Sequence, residues 1–358
     1  MRGQIHKFPY RWTLQDAVFT KDKGSVFSCF SCGGGSTMGY KLAGFDVIGC
    51  NEIDPRIMEV YCQNHAPKYS FLEPIQEFKL RDDLPGELYN LDILDGSPPC
   101  SVFSMAGLRE KAWGVEKKFK EGQKKQILDT LFFDFIDLTS KLQPKVAIAE
   151  NVKGLLLGDA IKYTREIYAR FDKAGYYCQH WLLDASTMGI PQRRVRVFFI
   201  CLRKDVAVPF LVQKNMFESA PYIDMSFNEP PIIFDSIADY SGREITGDNT
   251  RFLWENRQRG DSDQSDANYR LFGKASNFGQ SYVYRDKVSP TLTAKEDCLL
   301  HYEKPLFLGQ SEVCSISSFP QDYNFSGQSP HYICGMSVPP VMVAQVASRV
   351  YEQWLSKI

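Results

Sequence analysis

Asp92-Ile93-Leu94-Asp95-Gly96-Ser97-Pro98-Pro99-Cys100-Ser101-Val102-Phe103-Ser104-Met105-Ala106-Gly107 is the stretch that decides how this chain folds. Leu91 to Leu94 is a short apolar run of the kind that forms a buried strand, and Gly96-Ser97-Pro98-Pro99 forbids any regular continuation. Two prolines restrict the backbone and remove two N–H donors, so Cys100 is delivered on a stiff turn just past a strand's carboxyl end. In an open α/β sheet that edge is where ligands bind. Two readings of Cys100 stand side by side at this point: a buried thiol that packs as a small hydrophobe, or a nucleophile held at a ligand site.

Outward from that turn, strand and helix signals alternate. Ser25 to Phe30 is β-prone, followed by Ser31-Cys32-Gly33-Gly34-Gly35-Ser36 and a helical stretch through Met38 and Leu42 that ends at Gly44. Val47 to Cys50 predicts a second strand running into Asn51-Glu52-Ile53-Asp54, and Pro55 opens a helix with Ile57, Val60 and Tyr61 on one face. Lys125 to Leu142 keeps helical spacing through Leu128, Leu131, Phe132, Phe135 and Leu138. Val146 to Ala149 predicts a strand ending at Glu150-Asn151, and Ile161 to Ala174 a helix stopped by Gly175. Tyr177 to Leu183 and Val195 to Cys201 predict two more strands. The chain closes with a helix after Pro339-Pro340 that buries Met342, Val343, Val346, Val350 and Trp354. This alternation predicts an α/β fold with a doubly wound, mostly parallel sheet.

Composition sets bounds on function. The 358 residues suit one large domain plus a smaller one, and 44% hydrophobic with 24% charged residues is ordinary for a globular protein. No apolar run long enough to span a bilayer and no signal-peptide layout at Met1 to Tyr10 are read, so no membrane association is expected. Ten cysteines without framework spacing predict reduced thiols and a cytoplasmic location. Cys29-x-x-Cys32 has no second such pair and only five scattered histidines for company, so no metal site is expected. The net charge of −1 requires any nucleic-acid surface to be local.

From about Lys204 to about Tyr284 helical periodicity gives way to turn residues, which predicts a small, loop-rich second domain. There Arg251, Arg257, Arg259 and Arg270 interleave with Phe252, Trp254, Tyr269 and Phe272, a mixture suited to phosphate contact and base stacking. Asp261, Asp263 and Asp266 nearby suit a plain polar surface over a small core equally well. The lysines at 111, 117, 118, 120, 124 and 125 read either as a solvated face or as a loop that closes on DNA phosphates.

The triple glycine sits directly after the first strand and opens a helix, which lets a ligand approach backbone N–H groups at the helix N-terminus. Glu52, about 20 residues on, stands where a ribose diol is bound. Together they suggest an adenosine-containing cofactor, although Cys32 occupies a place where a tight-turn glycine is expected.

With these residues in view the chain resembles the DNA cytosine-5 methyltransferases of the small prokaryotic or phage type. Phe30-Ser31-Cys32-Gly33-Gly34-Gly35 with Ala43-Gly44-Phe45 is similar to that family's cofactor loop, and Asn51-Glu52-Ile53-Asp54 to its ribose segment. Ser97-Pro98-Pro99-Cys100-Ser101-Val102-Phe103-Ser104 resembles its catalytic loop and Glu150-Asn151-Val152 its acidic motif. Gln192-Arg193-Arg194-Val195-Arg196 resembles the Gln-x-Arg-x-Arg motif, Arg285 with Ser289-Pro290-Thr291-Leu292 the hinge motif, and Gly335-Met336-Ser337-Val338 the final motif. Their order and spacing match over about two-thirds of the chain.

The resemblance implies a Rossmann-like fold and S-adenosylmethionine as methyl donor, S-adenosylhomocysteine as product, and no metal. It places a catalytic domain at residues 1–203, completed by 305–358, with a target-recognition domain and hinge at 204–304. Cys100 is implied as the nucleophile on cytosine C6, Glu150 as the proton donor to ring N3, and Arg196, with Arg194, as the groups that hold the base's carbonyl oxygen. The cofactor is implied at Phe30, Gly33, Gly34, Gly35, Glu52, Ile53, Ile75, Ser97, Pro99 and Ser337, and DNA contact at Ser104, Gln192, Arg193, Arg251, Arg257 and Arg259. A cytosine stacked in duplex DNA cannot reach Cys100, so the target base must be flipped out of the duplex. A monomer acting on double-stranded DNA is implied, alongside a cognate restriction endonuclease with which it forms no stable complex.

Three departures fall on the cofactor side: Cys32 where the family usually has Gly, Pro74 where it has Asp, and Met336 where it has Asn. Two rival functions remain open on the sequence, a tRNA cytosine-5 methyltransferase of the same family and a catalytically weak DNA-binding member.

Overall fold

Val26, Phe27, Ile93, Leu94 and Val146 to Ile148 are runs of apolar residues with no polar alternation, and a strand of that kind is stable only with both faces covered. In the computed structural model, which describes residues 6–99, 130–158, 160–215, 218–274 and 280–358, they form the buried centre of a seven-stranded sheet. Cys100, Ser104 and the lysines from Lys111 to Lys125 lie outside the described residues.

In chain order the sheet-bearing part runs β1 (Ser25–Cys29), α1 (Gly35–Leu42), β2 (Asp46–Glu52), α2 (Pro55–His65), β3 (Tyr69–Leu72), α3 (Ile75–Phe78), β4 (Ile93–Gly96), α4 (Leu131–Leu142), β5 (Val146–Val152), α5 (Ala160–Lys173), β6 (Tyr176–Asp184) and β7 (Val195–Arg203). The strand order is β3-β2-β1-β4-β5-β7-β6. The pairs β2–β3, β1–β2, β1–β4 and β4–β5 are parallel, and β5–β7 is antiparallel. Strand order reverses between β1 and β4, so the loops leaving their carboxyl ends diverge and open a crevice. Those loops are the glycine turn and the proline turn. Phe27, Phe78, Phe132, Phe135, Leu138, Ile167, Phe171 and Phe199 form one core cluster that carries α3, α4 and α5 on the sheet.

Backbone contacts divide the chain into two compact units. One comprises Val18–Leu183, Val195–Ser226 and Val343–Ile358; the other comprises Met1–Ala17, Asp184–Arg194 and Phe227–Met342. This division differs from the one read in the sequence. The hairpin β8 (Leu211–Asn215) and β9 (Glu218–Pro221) stays with the sheet, where Gln179 Nε2 donates to the Pro221 carbonyl at 2.7 Å and Trp354 Nε1 to that of Tyr222 at 2.8 Å. Asp184–Arg194 joins the second unit because Gln192 and Arg194 are hydrogen-bonded to residues 292–337.

The second unit is less irregular than its sequence predicts. It holds α6 (Asp248–Glu255) and α7 (Gln264–Phe272), the short strands β10 (Ser281–Val283) and β11 (Leu299–His301), and α8 (Gln310–Ile316) and α9 (Pro330–Met336); α10 (Pro340–Gln353) begins there. The signal for α7 was present: the Asp263 side chain accepts from the Ser265 N–H, and Gly273 ends the helix at φ 64°. Nine residues are too few to display a clear period. A small core of Ile245, Tyr282, Tyr284, Leu300 and Phe307 holds this unit. Against expectation, one apolar stretch, Pro330–Lys357, does reach the length and hydropathy of a bilayer span, and 89% of its most apolar window is buried inside the protein.

Candidate active site

The glycine turn owes its shape to left-handed backbone. Phe30, Cys32 and Gly34 have φ of 53°, 47° and 76°, a region that costs a residue with a Cβ about 1–2 kcal/mol. This is the physical reason a glycine is expected where Cys32 stands, and here the cysteine adopts the strained conformation. At Gly34 no side chain fits at all, since a Cβ would lie 2.1 Å from His65 Nε2. His65, from the end of α2, therefore floors the turn. Burial, then the charge of Lys41, lowers its pKa to about 3, so it is neutral there.

Glu52 ends β2 beside this turn. Its carboxylate accepts from the Cys32 N–H at 2.9 Å, the Ile53 N–H at 2.8 Å and the Asp54 N–H at 3.1 Å. Burial raises its pKa and these three bonds lower it, burial being the larger influence. Asn51 donates to the carbonyls of Phe71 and Glu73 at 3.1 and 2.8 Å, which fixes the loop that leads to Pro74 and Ile75. Pro74 stands at the N-cap of α3 with φ −60° and supplies no capping hydrogen bond, and Ile75 is buried.

At the other wall, β4 ends in Asp95-Gly96 and the proline turn begins. The buried Ser97 hydroxyl has no hydrogen-bond partner within the protein, although a buried hydroxyl ordinarily has one. A left-handed turn closed to side chains at Gly34, a fixed carboxylate and an unsatisfied hydroxyl are what a polar nucleoside ligand requires. The residues present fit S-adenosylmethionine.

Sequence reading singled out Asn151 only as a companion of Glu150. Its amide donates to the Pro98 carbonyl at 3.1 Å while its Oδ1 accepts from the Val152 N–H at 2.8 Å. Asn151 thus ties the end of β5 to the turn that runs into Cys100. Asp95 was passed over, though an acid inside Ile-Leu-Asp-Gly is a signal in itself. It is buried, accepts from Ser28 Oγ at 2.8 Å and Tyr40 Oη at 3.1 Å, and has its pKa raised to about 7, chiefly by burial.

Glu150 and Arg196 come together. The Arg196 Nε–Glu150 Oε1 distance is 2.9 Å, with side chains 16% and 12% exposed. Antiparallel register explains the meeting: Glu150 pairs with Phe198, so Arg196, two residues away, is its diagonal neighbour on the same face. A pair so shielded from water is held far more firmly than a surface ion pair.

Arg194, expected beside Arg196 at the base, is enclosed by backbone carbonyls of the protein itself. It is 3% exposed, and its guanidinium donates to the carbonyls of Leu292, Gly335 and Ser337, each at 3.0 Å. Gln192 is likewise buried, donating to the Ile316 carbonyl at 3.1 Å and accepting from the Leu292 N–H at 3.1 Å. Both hold the second unit together, whereas Arg193 between them is exposed. In that same unit the Ser337 hydroxyl is buried with no partner, Met336 is exposed, and Gly335 packs so closely that a Cβ would lie 2.4 Å from the Thr293 backbone. Among the three arginines expected on DNA, Arg257 lies over Trp254 and donates to the Tyr302 carbonyl at 2.7 Å, a packing role. Arg251 and Arg259 are exposed, paired with Glu255 and Asp286. Among the described residues no group of three or more His, Cys, Asp or Glu side chains is placed to hold a metal.

A model of the C-5 cytosine-specific DNA methylase family matches residues 24–352. The chain belongs to that family. Cytosine-5 methylation of DNA is the activity of this class of enzyme, and curated proteins similar to the chain include several Type II methyltransferases. Type II methyltransferase M.FnuDI of Fusobacterium nucleatum is 28% identical over 362 residues, covering 93% of this chain and 95% of the relative. Type II methyltransferase M.NgoPII of Neisseria gonorrhoeae is 34% identical over 190 residues, covering 53% of this chain and 51% of the relative. The fold matches a solved DNMT2 structure from Spodoptera frugiperda with a TM-score of 0.60 at 17% identity, covering 91% of this chain and 99% of that one. The mostly parallel seven-stranded sheet is that of this methylase fold.

Proposed function

We propose that this cytosine-5 DNA methylase transfers the methyl group of S-adenosylmethionine to carbon 5 of a cytosine flipped out of double-stranded DNA, through a covalent adduct between Cys100 and ring carbon 6. The observation that carries the proposal is the shielded Glu150–Arg196 pair on β5 and β7, with Asn151 beside it holding the turn that leads to Cys100.

Carbon 5 of cytosine is too poor a nucleophile to take a methyl group directly. Addition of the Cys100 thiolate to carbon 6 breaks the 5,6 double bond and makes carbon 5 the nucleophilic end of an enamine. Glu150 supplies the proton to N3 that keeps the ring neutral as sulfur adds, and Arg196 orients that carboxyl and offers donors to the base's carbonyl oxygen. The bound cofactor supplies an electrophilic methyl group. Phe30, Gly33 to Gly35, Glu52, Ile53, Ile75, Ser97, Pro99 and Ser337 would hold it. Removal of the carbon 5 proton by a base then re-forms the 5,6 double bond and breaks the bond from carbon 6 to sulfur, releasing the thiolate. Exposed Arg193, Arg251 and Arg259 contact the DNA backbone. A cognate endonuclease in the same cytoplasm, cutting the unmethylated site, completes the setting.

The test is trapping. Duplex DNA carrying 5-fluorocytosine cannot lose its carbon 5 substituent, so incubation with S-adenosylmethionine leaves a stable adduct on Cys100 and none on Cys100→Ala. Adduct on fluorocytidine-bearing tRNA and none on duplex DNA would move the substrate to RNA. Absence of adduct on both, from a protein that binds DNA, would make it a non-catalytic binder.

A further inference from the structure

Two thiols outside the active site meet across neighbouring strands. Cys178 on β6 and Cys201 on β7 bring their Sγ atoms to 2.6 Å, and bonded sulfurs stand about 2.05 Å apart. Cys201 is fully buried, and burial pushes its thiol well above the usual range, so it does not meet an oxidant itself. Cys178 is half-buried and lines a groove of ≈ 650 Å³ together with Tyr168, His180, Trp181 and Ala220. One sulfur is thus reachable from water while the other is held against it. Among the described residues β6 is the last strand of the sheet, bonded within it only to β7. Nothing in the methylation chemistry uses either residue.

We propose that Cys178 and Cys201 form a redox-active dithiol that closes to a disulfide on exposure to a hydroperoxide, stapling edge strand β6 to β7. The Cys178 sulfur, having given up its proton, attacks the terminal peroxide oxygen. The O–O bond breaks, leaving a sulfenic acid on Cys178 and releasing the reduced oxidant as water or an alcohol. The Cys201 sulfur then attacks the Cys178 sulfur. The S–O bond breaks, and the departing hydroxide takes the Cys201 proton and leaves as water. Two thiols have lost two electrons to one peroxide, and an added dithiol reverses the step by exchange. The staple crosslinks β7, the strand that holds Arg196, to its outer neighbour and leaves the Glu150–Arg196 pair intact.

Full-length protein carrying Cys100→Ser, which removes the thiol assigned to catalysis, is treated with hydrogen peroxide and digested without reductant for mass spectrometry. The expected product is a peptide joining Cys178 to Cys201, lost on adding dithiothreitol and missing from a further Cys178→Ser variant. Oxidised protein should melt at a higher temperature than reduced protein, and the Cys178→Ser variant should show no such difference. Should that variant fold poorly, alkylating the accessible thiols with iodoacetamide before peroxide must likewise prevent the link. Recovery of Cys178 as a free thiol, as a sulfinic acid or bonded to another cysteine, under conditions where peroxide has consumed thiols, overturns the proposal.

Discussion

Arg194 and Arg196 look alike in sequence, and replacing each by alanine should separate them completely. Removing the Arg194 side chain withdraws charged donors from three buried carbonyls, those of Leu292, Gly335 and Ser337. Leaving a buried acceptor unsatisfied costs about 1–3 kcal/mol, so three cost at least ~3 kcal/mol. Unfolding entropy of about 2.1 cal/mol/K per residue gives about 0.75 kcal/mol/K for 358 residues, and 3 kcal/mol then lowers Tm by about 4 °C when the whole chain unfolds together. Arg196→Ala leaves that network untouched but removes the partner of Glu150. Its expected signature is a rate of 5-fluorocytosine adduct formation lower by about 10²–10³, the usual effect of losing one pre-organised donor, on a protein that also loses some Tm because the shielded Glu150 is left unpaired. Thermal unfolding by circular dichroism and single-turnover adduct formation, measured on both variants well below Tm, read the two effects apart. An Arg194→Ala protein as stable as the parent but unable to form adduct would refute the assignment of Arg194 to the scaffold.

Asn151→Ala should slow adduct formation several-fold while costing about 1 kcal/mol in stability, because the Pro98 carbonyl loses its donor and the turn before Cys100 its tether; an unchanged rate would mean the two prolines hold the turn alone. Asp95 yields a pH dependence. Its carboxyl titrates near 7 in the folded protein against an ordinary value of 3.8, so the folded state favours the protonated form. The associated stability is present below pH 3.8, declines as pH rises, and is lost once pH has passed 7, a swing of about 4 kcal/mol. Asp95→Asn cannot titrate. Denaturant unfolding of parent and variant from pH 4 to 8.5 should therefore show the parent losing stability relative to the variant across that window, and parallel curves would contradict a buried, proton-holding Asp95.

Much of the fold was written locally. Strand β4 and its proline stop, the glycine turn, the Pro55 start of α2, the Gly175 stop after α5 and the final apolar helix all follow from residue types within a few positions of one another. Their boundaries moved by one or two residues, as at α5, which starts at Ala160. Helix α7 escaped notice because its nine residues give few repeats and its charges read as surface. The placement of individual site residues was less legible. Gln192, Arg194 and Arg257 have the chemistry of DNA-contacting or catalytic groups, yet all three satisfy backbone carbonyls of the protein itself.

Sequence alone determined the alternation of strands and helices, the order of the methylase motifs, and which residue types stand at the carboxyl ends of the strands. Each depends on covalent neighbours, on a period of two or 3.6, or on a conformation that Gly and Pro impose directly. Tertiary structure alone decided which arginine faces Glu150. Arg194 and Arg196 are two residues apart, but strand β7 begins at Val195, so only Arg196 takes part in the register with β5. The carbonyls that draw Arg194 inward come from residues 98, 141 and 143 positions away. A local pattern can place a charge at a strand end; the partner that claims it comes from chain brought close only by folding.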